Sequence, residues 1–316
     1  MKLLVTGSAS HLARVLLPRL CEDPRVEQVV GLDLRAGDYR HPRFTEHRLD
    51  VRDRRVADHL AGCDTVIHMA FVVIPGGLGR RRHDRALIRD INVGGSRNVA
   101  ERARAAGVRH FIQLSSAAVY GAWADNPERL DEARPRRANP GFAYAEDKQA
   151  VEDWLDEYER HADAPRVVRL RPHVILGPQA QPLLRFLLRQ PTYPRLPEPQ
   201  PLTQCVWEED VVEAILAAVF SASRGAFNLG AEPALPFRDM IRHRHGRRGF
   251  GLPYALWRAV HRGLWRFTGA FGEPGWMEGM HHSLAVDSAR ARRELGWRPR
   301  DTFACLRSAP PPGARG

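Results

Sequence analysis

Lysine is almost missing from this chain: of its 48 lysines and arginines only Lys2 and Lys148 are lysine, which leaves 46 arginines. Cysteine is scarce as well. Cys21, Cys63, Cys205 and Cys305 stand far apart, with no CxxC pair and no His/Cys ligand spacing, so neither a disulfide framework nor a zinc site is indicated. A reducing, cytoplasmic setting is the expectation. No apolar run approaches the roughly 20 residues of a membrane span, and the apolar start from Met1 to Thr6 is too short for a signal peptide. The formal charge is +11, but the arginines are scattered and form no aromatic-interleaved stripe, which argues against a nucleic-acid partner. What is present is a chain of 316 residues, 43% of them hydrophobic, enough for one large domain or two unequal ones.

Short apolar runs alternate with amphipathic segments through the first half. Leu3 to Val5, Gln28 to Asp33, Phe44 to Arg48, Thr65 to Ala70 and His110 to Ser115 read as strands. Between them, segments from Leu12 to Leu20 and from Asn92 to Ala106 read as helices. A further helix from Tyr144 to about Arg160 leads to a strand from Arg166 to Leu170. Alternating β and α of this kind predicts a doubly wound α/β fold, a parallel sheet of at least six strands covered on both faces. After Pro172 the texture changes, and the proline-rich stretch 191–201 reads as a loop in a smaller, irregular C-terminal region. The expected division is a nucleotide-binding domain over residues 1–171, rejoined by 206–231, and a substrate-binding region over 172–205 and 232–308. Residues 309–316 read as a frayed tail.

Lys148 lies four residues after Tyr144, a spacing that puts phenol and ammonium on one helix face. A free tyrosine, with a pKa of about 10, is a poor base at neutral pH unless a fixed cation stabilises the phenolate. Lysine suits that task, and its compact ammonium also hydrogen-bonds ribose hydroxyls, which the planar guanidinium fork does less well. Its retention here, in a chain that otherwise uses arginine, marks a position that needs lysine chemistry.

Thr6-Gly7-Ser8-Ala9-Ser10-His11-Leu12-Ala13 joins the first strand to the first helix, where backbone N–H groups and the helix dipole favour a pyrophosphate. The second glycine of the usual fingerprint is Ser10 and the third is Ala13. Ser10 is the departure, since its Cβ stands where the backbone should approach the phosphates. His11 either caps the same anion or is an exposed histidine of the turn. Asp33 closes the second strand, where a carboxylate accepts from both ribose hydroxyls and repels a 2′-phosphate; NAD is favoured, and nearby Arg35 leaves NADP as the lesser alternative. Asp50 and Val51, after the third strand, would meet the adenine.

These residues resemble the extended short-chain dehydrogenase/reductases, the family of NAD-dependent sugar epimerases and dehydratases. Gly7, Asn92 in Asn92-Val93-Gly94-Gly95, Ser115-Ser116-Ala117-Ala118-Val119-Tyr120-Gly121 and the Tyr144/Lys148 pair carry the likeness. Arg171-Pro172-His173, Trp207-Glu208-Glu209-Asp210-Val211 and Leu295-Gly296-Trp297-Arg298-Pro299 extend it toward the C-terminus. The resemblance implies a Rossmann-type sheet and a Ser116, Tyr144 and Lys148 catalytic set. Tyr144 takes the proton of a substrate hydroxyl, Ser116 binds the developing carbonyl, and Lys148 lowers the Tyr144 pKa and holds the nicotinamide ribose. The cofactor positions it implies are Gly7, Ser10, His11, Leu12, Asp33, Arg35, Asp50, Val51, Met69, Ala70, Phe71, Asn92, Leu114, Tyr144, Lys148, Pro172 and His173, with no metal. A small-molecule substrate and a homodimer go with it.

The substrate half departs from the nucleotide-sugar pattern, with Val174 in place of a substrate-contacting asparagine and Thr203 in place of a diphosphate-binding arginine. Trp276-Met277-Glu278-Gly279-Met280 has no counterpart of the C-terminal arginine element, although Arg185 or Arg195 would be able to substitute. Residues 252–271 alternate Leu256, Trp257, Val260, Leu264, Trp265 and Phe267 with Arg258, Arg262 and Arg266. Three readings stand for this stretch: a lid over an apolar substrate, a membrane-surface contact, or a helix packed on the core. For the whole chain the leading expectation is NAD-dependent hydride transfer between a secondary alcohol or ketone and the nicotinamide. A nucleotide-sugar epimerase or dehydratase and a non-catalytic NAD-binding sensor or scaffold are the alternatives.

Overall fold

The computed structural model describes residues 1–73, 84–179, 191–246, 249–268 and 274–308. Arg185, residues 269–271 and the 309–316 tail lie outside them, as do the side chains of Leu264, Trp265, Arg266, Phe267 and Trp276.

Seven parallel strands form the central sheet: β1 (Lys2–Thr6), β2 (Gln28–Asp33), β3 (Phe44–Arg48), β4 (Thr65–His68), β5 (His110–Leu114), β6 (Arg166–Pro172) and β7 (Gly225–Leu229). Their order across the sheet is β7-β6-β5-β4-β1-β2-β3, so the chain reverses direction of travel beside β1. A sheet covered on both faces buries its central strands, so Leu3 to Thr6 of β1 and all four residues of β4, polar Thr65 and His68 among them, are buried. Edge strand β3, with Thr45, Glu46 and His47, is half-exposed.

The two faces are covered by different helices. Leu3 and Val5 point to one face, where they meet Leu16, Leu17 and Leu20 of α1 (His11–Glu22). Val211, Ile215 and Val219 of a helix over Glu208–Val219, called α5 below, join the same cluster. Leu4 points the other way, with Val66 and Phe111, onto Val99 and Ala103 of α3 (Gly95–Ala105) and Val151, Leu155 and Tyr158 of α4 (Ala143–Tyr158). A short helix α2 (Arg85–Arg89) and a π-helical turn over Asp90–Gly94 lead into α3, so Asn92 sits in an irregular turn and not in regular helix. The first helix also begins one residue earlier than the periodicity indicates, because Ser10 caps it by accepting from the Ala13 N–H at 3.3 Å.

The last strand and the helix before it come from beyond residue 200. β7 pairs with β6 in register Gly225 to Val168 through Leu229 to Pro172. The Leu295-to-Pro299 segment locks onto the start of α5: the Trp297 indole donates to the Asp210 carbonyl oxygen at 2.7 Å and Arg300 N donates to the Asp210 carboxylate at 2.9 Å.

Among the described residues the C-terminal region contains three small ladders, pairing Val174–Leu176 with Cys205–Trp207, Leu202–Thr203 with Leu235–Pro236, and Thr192–Arg195 with Phe250–Pro253. The last pair corrects the expectation of a loop from residue 191, since Thr192–Arg195 is a strand despite Pro194. A two-stranded ladder spares Pro194 the second partner that its missing N–H could not serve. The basic aromatic stretch likewise divides, with Phe250–Pro253 as strand and Tyr254–Thr268 as helix. All four cysteines are buried and free.

Candidate active site

The turn after β1 is built around Gly7. Its φ is +74°, and an added Cβ would lie 2.8 Å from the Ala70 nitrogen, so only glycine fits between the turn and the end of β4. Gly7 N donates to the Leu32 carbonyl oxygen at 2.8 Å, and Thr6 Oγ1 accepts from Ala70 N at 3.3 Å. These bonds draw the ends of β1, β2 and β4 together beneath the N-terminus of α1. The first N–H groups of a helix have no partner within it, and His11 is exposed at the first helical position of α1.

Asp33 ends β2 with a mostly buried carboxylate. One oxygen accepts from Ala9 N at 3.1 Å and the other from Arg35 N at 2.9 Å, which fixes the carboxylate beside the turn. A carboxylate has about four acceptor sites, so two ribose hydroxyls are still accommodated. The Arg35 guanidinium folds back, 3.8 Å from Asp33 and 3.4 Å from the Ala9 carbonyl oxygen. Asp50, expected near the adenine, is bound by Arg52 through backbone N–H and guanidinium, and the Arg52 bond holds its carboxyl below the usual carboxylate range. Val51 beside it is buried.

Two serines follow the end of β5, and their side chains part. Ser115 is buried and donates to Glu152 of α4. Ser116, extended at φ −159°, caps the 3-10 turn Ala117–Tyr120 by accepting from Ala118 N at 3.2 Å, and its hydroxyl also bonds Tyr144. Tyr144 is half-buried, with the Phe71 ring edge-on at 5.6 Å and the Phe142 ring at 5.7 Å between centroids. Lys148 is 3% exposed; its Nζ donates to the Leu114 carbonyl oxygen at 2.6 Å and lies 3.6 Å from the centroid of the Phe71 ring.

Lys148 was expected to hold the Tyr144 pKa down, and the electrostatics differ. Burial pushes the phenol up, and the pull against it comes from the Ser116 hydroxyl. The ammonium is 5.8 Å from the Tyr144 ring centroid and turned toward Leu114. Burial lowers Lys148 to about 7, against the upward pull of Glu152 and Asp147. A buried lysine with so low a pKa, one turn from a half-buried phenol, has the character of a proton-transfer site.

Asn92 grips the segment after β4, its Oδ1 accepting from Val72 N at 2.7 Å and its Nδ2 donating to the Val72 carbonyl oxygen at 3.0 Å. The same amide donates to Asp147 at 3.0 Å, which links that segment to the helix carrying Tyr144 and Lys148. Met69 is buried, and Ala70 is anchored by Thr6. At the end of β6, His173 follows Pro172 and is fully engaged: burial lowers it to about 4, its Nδ1 accepts from Val174 N at 2.9 Å, and its Nε2 donates to the Leu284 carbonyl oxygen at 3.0 Å.

Three polar groupings were missed by the sequence reading. Asp147, fully buried, takes Arg85 through both oxygens at 2.7 Å and Arg89 at 2.9 Å. Thr6, His68 and Ser96 form a buried chain, 2.7 and 2.9 Å per link, in which burial drives His68 down to about 3 and keeps it neutral. Glu152 pairs with Arg171 in the interior. The signal for the last was available, since Glu152 repeats the four-residue step from Tyr144 to Lys148.

A UDP-glucose 4-epimerase of Mycolicibacterium smegmatis is 26% identical over 96% of this chain and 95% of its own length. The sterol demethylase protein B of Methylococcus capsulatus is 33% identical over 56% of this chain and 52% of that one. The solved structure of MoeE5 in complex with UDP-glucuronic acid and NAD superposes with a TM-score of 0.75 at 22% identity, covering 98% of this chain and 97% of that one. The model of the NAD dependent epimerase/dehydratase family matches residues 3–230, which carry the phosphate turn, Asp33, Ser116, Tyr144, Lys148 and β7. The chain therefore belongs to the NAD dependent epimerase/dehydratase family and is an NAD-dependent enzyme on a Rossmann-type sheet.

Proposed function

We propose that the protein moves a hydride between a secondary alcohol or ketone and NAD, with Ser116, Tyr144 and Lys148 as its catalytic set. The observation that carries this is the hydroxyl pair of Ser116 and Tyr144, bonded to each other with the chain's one buried lysine a helical turn behind. NAD, when bound, supplies the hydride acceptor. Tyr144 as phenolate takes the hydroxyl proton of the substrate, Ser116 donates to the oxygen that becomes a carbonyl, and Lys148 holds the nicotinamide ribose and returns the proton toward solvent. The residues that would hold the cofactor are those of the Gly7–Leu12 turn for the pyrophosphate and Asp33 for the adenosine ribose, with Met69 to Phe71, Asn92, Leu114, Pro172 and His173 along the nicotinamide side. Residues 1–171 with 206–231 form the cofactor domain, and 172–205 with 232–308 cover the substrate. The protein works in the cytoplasm as a homodimer, which light scattering of the purified chain checks.

The substrate is a partly apolar alcohol or ketone. A diphosphate must be desolvated and paired with cations, and the position aligned with the diphosphate-binding arginine of sugar epimerases holds Thr203, half-buried in a two-stranded ladder. The rings of Phe71 and Phe142 flank Tyr144. Likeness to a sterol demethylase protein supports an apolar body; likeness over nearly the whole chain to a UDP-glucose 4-epimerase favours the second reading, a nucleotide sugar. Saturation-transfer NMR in the presence of NAD, with UDP, TDP-glucose and a series of hydrophobic alcohols, separates the two. Tight binding of UDP, lost on changing one arginine within residues 180–300, would establish the nucleotide sugar and overturn the apolar alcohol.

A further inference from the structure

Glu152 stands one turn beyond Lys148 on α4 with its side chain fully buried. Ser115 donates to its Oε1; Arg171 Nε donates to both of its oxygens at 3.0 and 3.2 Å, and Arg136 approaches Oε2 at 3.5 Å. Arg171 also donates to the Tyr120 hydroxyl, which donates to Asn228 of β7 at 2.8 Å. One carboxylate thus ties the catalytic helix to the ends of β5 and β6 and, through Tyr120, to β7. A buried ion pair is often no more stabilising than apolar residues of the same size, so stability alone does not explain its presence. Its location does, since it holds Ser115, the residue before Ser116, and stands one turn from Lys148 along α4.

We propose that Glu152 is a positioning residue of the hydride-transfer site, seating the Ser115–Ser116 segment and placing a carboxylate one turn behind Lys148. The proposal rests on the roles assigned to Ser116 and Lys148. Around Lys148 the titratable groups are Tyr144, Asp147 and Glu152 from α4 and the neutral His68 from β4. Asp147 is matched by Arg85 and Arg89, and Glu152 by Arg171 of β6 and Arg136 of the segment before α4. Of the two carboxylates, Glu152 has the larger upward pull on Lys148.

With two lysines in the chain, lysine labelled with carbon-13 reports Lys148 directly by NMR, and Lys2 is the internal control. Glu152→Gln is expected to lower the Lys148 titration midpoint by about one pH unit, Glu152→Asp by less, with Lys2 unmoved. Turnover of Glu152→Gln should fall, and its alkaline limb should move to lower pH. If loss of the carboxylate prevents folding because Arg171 is left unpaired, Glu152→Asp, which keeps a carboxylate for Arg171 but withdraws it from Lys148 and Ser115, is the variant read. An unchanged Lys148 midpoint in folded Glu152→Gln, or in Glu152→Asp where that alone folds, overturns the proposal. A shifted midpoint with full turnover in Tyr144→Phe sinks the catalytic reading instead, so the two failures are distinguishable.

Discussion

Gly7→Ala separates two costs that usually arrive together. The residue sits at φ +74°, where a side chain adds about 1–2 kcal/mol of backbone strain. Its new Cβ would also lie 2.8 Å from Ala70 N and 2.9 Å from the Met69 carbonyl carbon, main-chain atoms at the end of a central strand that have no rotamer to yield. Overpacking of this kind costs about 1–3 kcal/mol, so the sum is about 2–5 kcal/mol. Gly107 supplies the control, since its φ is +72° and nothing lies within 4 Å of a Cβ there. Gly107→Ala should lose only the strain, and the gap of about 1–3 kcal/mol between the variants measures the contact. Urea unfolding gives both values, and calorimetric titration with NAD gives a second signature: Gly7→Ala pushes Ala70 away from the turn and weakens binding, while Gly107→Ala leaves it unchanged. Equal destabilisation with equal NAD affinity would refute the claim that Gly7 is required by the approach of β4.

Tyr144→Phe and Lys148→Arg should each lower turnover by about 10² to 10⁴ while the fold survives; turnover within about threefold of wild type in either would remove that residue from the mechanism. Asp33→Ala should narrow or reverse the preference for NAD over NADP, because two charge-assisted bonds to the ribose go and the repulsion of a 2′-phosphate goes with them; calorimetry showing that the wild type already prefers NADP contradicts this. Lys148→Met should stabilise the fold at pH 6, with the advantage shrinking toward pH 9.5. Lysine in the unfolded chain keeps its proton to about pH 10.4 and folded Lys148 gives it up near 7. In that window the unfolded state holds more protons, and the wild type gains stability as pH rises. A stability difference that stays constant across the range refutes it.

The fold was readable because its signals are local. Continuous apolar strands alternating with amphipathic helices specify a covered parallel sheet, and the Tyr144 to Lys148 step needs only a helix to bring the two side chains to one face. Asp33 and the Gly7 turn followed from the same strand-to-helix logic. The sequence was weaker where an element depends on a distant partner. Thr192–Arg195 contains a proline and becomes a strand only because Phe250–Pro253 lies beside it. Asn92 leaves regular helix for a π turn that takes its amide to Val72 and Asp147.

What the sequence determined by itself was the class of fold and the chemical kinds present: one interior lysine, a tyrosine four residues before it, a serine pair at a strand end and a carboxylate after the second strand. The tertiary structure decided what the other serine does, since Ser116, already preferred from its place before Ala117-Ala118-Val119-Tyr120, bonds Tyr144 while Ser115 turns to Glu152. It also decided the charge state of the site. Desolvation depends on everything packed around a group and not on its neighbours in the chain, so the lowering of Lys148 to about 7 and the buried Glu152–Arg171 pair beside it emerge only when α4 closes onto the ends of β5 and β6.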